Sequence, residues 1–104
     1  MKNFYITQRV LTPRYEFRKY HRQLSAAEKP EQFWAIVPRG GLRAKAVLIT
    51  ADSGLKKLAI VKGELPDNLR KEHLPQFKEV GSKKLPPWVW KALKTFQEEP
   101  NIQW

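Results

Sequence analysis

The side chains best equipped for chemistry crowd into one short stretch, "RYEFRKYHR", residues 14 to 22. Arg14, Arg18, Lys19 and Arg22 alternate there with Tyr15, Phe17, Tyr20 and His21. A guanidinium is a planar fork that grips phosphate at two points and stacks on rings, whereas an ammonium acts as a point charge. Rings set among such cations recur in proteins that bind RNA or single strands, where they stack on unpaired bases. "PRGGLR" places Arg39 and Arg43 either side of two glycines that tolerate close backbone approach, and Lys45 follows. "KKLPPWVW" sets Lys83 and Lys84 before Trp90.

Other chemistries have less to work with. His21 and His73 are acid/base candidates for phosphodiester cleavage, with Arg or Lys stabilising the charged intermediate. They fall in unrelated segments. Asp52, Glu64, Asp67, Glu72 and Glu79 are scattered, with no paired spacing to hold magnesium. Ser25, Ser53 and Ser82 lack a nucleophile's context. No cysteine is present, which excludes disulfides, thiolate zinc sites and a cysteine nucleophile. The expectation is no enzyme, no metal and no cofactor.

Charge points the same way as the arginines. Twenty Lys and Arg against ten Asp and Glu give +10 in 104 residues. Residues 1 to 50 carry ten cations against three Glu, and residues 51 to 104 carry ten against seven acids. Six of the seven arginines lie in the first half. Clustered cations gain free energy by releasing the counterions condensed on a polyanion. The chain begins with no apolar run of signal-peptide length, and nothing approaches the ~18 apolar residues of a membrane span. A cytoplasmic protein of one domain, residues 1 to 104, is expected.

These side chains must be positioned by a small framework. "NFYITQRVL", residues 3 to 11, reads as a strand ended by Thr12-Pro13. Residues 14 to 24 fit a strand or a helix, and their aromatic content favours the strand. On a strand, Arg14, Arg18, Tyr20 and Arg22 project together. Ser25 and Glu28 have capping-box spacing for a short helix stopped by Pro30. Residues 33–38, 43–51 and 55–63 read as strands of an antiparallel meander, joined by turns at "RGGL" and "DSG". Residues 67 to 73 hold at most one helical turn, and 77–80 a last short strand. Pro86-Pro87 suits the first turn of a helix over 88–99. At about 100° per residue, Trp88, Ala92, Phe96, Val89 and Leu93 share an arc about 140° wide, and Trp90 falls outside it. The implied fold is α+β: a small twisted, mostly antiparallel sheet of five or six strands, partly rolled into a barrel, with a C-terminal helix.

No consensus module is met: the recognition-motif octamer, the GxxG clamp and zinc-finger spacing are all missing from the sequence. One long helix argues against a helix-turn-helix. The reading is therefore a small basic protein binding RNA or single-stranded DNA. Arg14, Arg18, Arg22, Arg39, Arg43, Lys45, Lys83 and Lys84 would neutralise phosphate, and Tyr15, Tyr20 and Trp90 would stack. The alternative is an adaptor or inhibitor, of the kind phages and mobile elements carry, docking on an acidic surface of a partner such as a nucleic-acid enzyme.

Overall fold

A computed structural model describes residues 3–22, 31–39, 45–50, 57–62, 65–74, 76–79 and 85–102. The fold is α+β: a curled antiparallel sheet, open as a half-barrel, with a C-terminal helix. Five long strands run in chain order, β1 (Phe4–Leu11), β2 (Tyr15–Arg22), β3 (Glu31–Pro38), β4 (Lys45–Thr50) and β5 (Lys57–Lys62). A two-residue strand flanks each side, β6 (Asn68–Leu69) beside β1 and β7 (Lys78–Glu79) beside β5. The helix α1 spans Pro87–Glu98. No helix among the described residues is long and apolar enough to cross a membrane.

Residues 15 to 22 form a strand. Their aromatics serve both faces of the sheet, which a helix with one apolar stripe does not need. Phe17 packs on one face with Trp34, Ile36, Val47, Ile49 and the buried residues of α1. Tyr20 packs on the other with Phe4, Phe33, Ala35, Leu65 and Leu69. Both faces are thus roofed, the first by α1 and the second by segment 65–77.

β1 needs a device to feed both clusters, because Phe4, Ile6 and Val10 are evenly spaced and an unbroken strand would put them on one side. The β1–β2 register shifts between Ile6 and Gln8. Ile6 stands opposite Tyr20, whereas Val10 stands opposite Phe17. The extra residue of the bulge flips the strand midway.

α1 buries Val89, Ala92, Leu93 and Phe96, the arc anticipated from the helical period, and leaves Trp90 outside at 53% exposure. Pro87 occupies the first turn, and Val89 N donates to Pro86 O at 3.0 Å. Phe96 meets Phe17 and Trp34 edge-on, with centroids 5.5 and 5.8 Å away. Each such pair contributes about 0.5–1.5 kcal/mol beyond the area it buries.

The strands at 3–11, 33–38, 43–51, 55–63 and 77–80 are present with ends shifted by up to two residues. The turn in 67–73 is a 3₁₀ helix at Lys71–His73, preceded by the unanticipated β6. The expected helix from Ser25 and the turns at 40–42 and 52–54 lie outside the described residues.

Candidate nucleic-acid interface

Alternation along β2 puts Glu16, Arg18, Tyr20 and Arg22 on one face, as the period of two requires. That face is interior. Arg18 has a side chain only 14% exposed and bonds Glu16 through Nε at 2.6 Å. Its Nη1 donates to Leu65 O at 2.8 Å. Tyr20 is fully buried, stacked on Phe33 at 5.1 Å, with its hydroxyl donating to Pro66 O at 2.8 Å. Arg22 is 7% exposed at the side chain, paired with Glu31 at 2.9 Å, and sits 5.3 Å over the Phe4 ring. These three correct the expectation of a phosphate track along β2. Segment 65–77 covers that face, and its backbone carbonyls and nearby carboxylates take up the charges and the phenol.

The arginines are therefore struts. Arg9 joins the set, bonding Glu16 at 2.7 Å and Asp67 at 3.2 Å. The hydrogen bond from Arg18 holds the Glu16 carboxyl below the usual carboxylate range, although burial pulls upward. Burial works against the Arg18 charge, but its bonds to Glu16 and Tyr20 outweigh that and raise its pKa. Burial pushes the Tyr20 phenol up, with Arg18 acting against it.

A depressed carboxylate stabilises the fold at neutral pH, and that contribution disappears as pH falls through its folded-state pKa. The urea midpoint of the native protein is expected to drop below about pH 5. In Glu16→Gln the midpoint is expected to be lower at neutral pH and flatter over that acid range. Parallel acid limbs for the two proteins would show that Glu16 carries no such linkage.

The turn end of the sheet is different. The β1–β2 turn, the end of β3, the start of β4 and the end of β5 all meet there. Thr12 closes the turn: its Oγ1 donates to Tyr15 O at 2.9 Å and accepts from Tyr15 N at 3.0 Å. Arg14 is exposed in that turn, and Arg39 N donates to Arg14 O at 2.8 Å. The Arg39 guanidinium is also exposed and reaches Thr12 O at 2.7 Å. Neither arginine has an ion pair among the described residues. Lys45 and Lys62 are direct cross-strand partners at the same end. Tyr15 lies beside this rim, but it is half-buried against the helix-side core and stacked on Phe17 at 6.1 Å.

The predicted residues thus divide. Arg14, Arg39 and Lys45 gather at one end, and Arg18, Tyr20 and Arg22 do not join them. Trp90 is exposed on α1 between the exposed Lys91 and Lys94, with no described contact to the rim. Arg43, Lys83 and Lys84 lie outside the described residues. Lys62 was missed by sequence reasoning. The hairpin register that sets it opposite Lys45 is the signal that finds it.

The histidines do not form an acid/base pair. His21 stands on the helix side of β2, while His73 is exposed on the 3₁₀ turn of the segment that roofs the opposite face. No group of three His, Cys, Asp or Glu among the described residues is placed to hold a metal ion. Comparison with protein-family models, curated proteins and solved structures finds no match for this chain.

Proposed function

We propose that this chain is a small basic protein that binds RNA or single-stranded DNA, with phosphates held at the turn end of the sheet. Arg14 and Arg39 are the first contacts, joined by Lys45 and Lys62, and Arg43 lies between Arg39 and Lys45 in sequence. Trp90 with Lys91 and Lys94 offers a second point, a ring beside ammonium groups.

The observation that carries this reading is the pairing of Arg14 and Arg39. Their backbones are hydrogen-bonded at 2.8 Å, and both side chains are exposed without a carboxylate partner among the described residues. Arg9, Arg18, Arg22 and Arg70 each have an acidic partner. A fixed pair of forks with free charge is what a sugar-phosphate chain selects.

Fluorescence anisotropy with a labelled single strand, titrated over a salt series, tests the proposal. Log affinity is expected to fall with log salt by about 0.7 for each phosphate neutralised on a single strand. An affinity flat in salt, or no binding at low salt, overturns it. Recovery of a stoichiometric complex with an acidic protein and no nucleic acid would move the same surface to the adaptor reading.

A further inference from the structure

At the end of the sheet opposite the basic rim, the helix leaves part of its own face open. Phe96 roofs Trp34, and Gln8 Nε2 donates to Asn101 O at 3.2 Å, so the helix and the turn after it reach the row Gln8, Lys19, Trp34. The next row outward is Tyr5, His21 and Gln32, cross-strand partners on β1, β2 and β3. Tyr5 is 46% exposed, and its ring lies 5.8 Å from the His21 imidazole at a 57° tilt. The side chains of His21 and Gln32 have no hydrogen-bond partner among the described residues.

We infer that this row is a stacking platform for an unpaired nucleobase. The inference rests on the single-strand reading above and extends it to residues that reading does not use. Each part has a role. The Tyr5 ring offers an exposed π-face, and stacking of that kind is sequence-tolerant. The Gln32 amide carries both donors and an acceptor, the set needed to meet a base edge. Lys19, one row inward, supplies a cation for the adjoining phosphate.

The surroundings favour a base over an apolar protein anchor. A protein hot spot sits in a well-packed, water-excluding ring. The aliphatic side chains of this face, Val10, Ile36, Val47 and Ile49, lie under the helix. The row and its inner neighbours bring no carboxylate that would repel phosphate. Glu99, beside the strap at Asn101, has its Oε1 taken by Asn101 N and Nδ2 at 3.3 and 3.0 Å.

A base must be unpaired to reach such a ring, so the platform discriminates against duplexes. The test uses labelled oligonucleotides of about twelve nucleotides, within the span of such folds. RNA and DNA single strands and the matching duplexes are the arms. Tyr5→Ala is expected to weaken single-strand binding about tenfold and to leave duplex binding unchanged. Tyr5→Phe keeps the ring and is expected to stay within about twofold of the native protein. Whichever single strand shows the Tyr5 effect identifies the nucleic acid.

If the native protein binds with the expected salt dependence and Tyr5→Ala binds single strands as tightly, the platform falls and the rim stands. Equal losses on single strand and duplex also overturn it. A native protein that binds neither form overturns the platform together with the reading beneath it.

Discussion

Replacing Arg18 with alanine is expected to lower folding stability by about 2–4 kcal/mol and to leave the affinity of the folded protein for a single strand unchanged. The magnitude follows from what is lost. Arg18 is largely buried, bonds Glu16 at 2.6 Å and reaches Leu65 O at 2.8 Å. Its removal strands a carbonyl and part of a carboxylate in a covered region. Arg9 remains on Glu16 at 2.7 Å, which keeps the cost below that of a fully orphaned buried charge. Against a typical domain stability of about 5–15 kcal/mol, this is a large fraction. Urea unfolding measures the first half and anisotropy on the folded protein the second. A stable variant with weakened binding would return Arg18 to the binding surface.

The opposite pattern is expected at the turn end. The double variant Arg14→Glu, Arg39→Glu is expected to lose about a hundredfold in single-strand affinity at low salt, because two charge-assisted contacts of about 1.5–3 kcal/mol each become repulsive. The slope of log affinity against log salt is expected to fall by about two. Stability is expected to change by about 1 kcal/mol or less. Both side chains are exposed, and the one internal bond given up is from the Arg39 guanidinium to Thr12 O. Unchanged affinity in this variant would remove the rim from the interface. The two experiments together separate arginines that brace the fold from arginines that face outward.

Much of the framework was legible in the residues. The helix at 87–98 follows from a proline start and a 3.6-residue apolar period, and both are local properties. The meander of β3, β4 and β5 follows from apolar runs cut by glycines. The exposure of Trp90 follows from the same helical period that buries Val89 and Phe96. The strand at 15–22 was visible as aromatics on both alternating sets.

The bulge and the two roofs were not. Nothing in "FYITQRVL" marks where its register slips, because a bulge is chosen by what each half of the strand must cover. The roof made by segment 65–77 is a contact between residues almost fifty positions apart, as in Arg18 with Leu65 and Tyr20 with Pro66. Likewise, Tyr5 and His21 meet only through strand pairing.

Composition and local spacing determined by themselves that this chain is strongly cationic, that it builds an antiparallel sheet with one helix, and which side chains share a face. Only the tertiary structure decided which of those faces is covered. Alternation sorts residues into two sets, and burial depends on the distant segment that folds across them. That is why Arg18 and Arg22 became internal braces while Arg14 and Arg39, alike in chemistry, remain open to solvent.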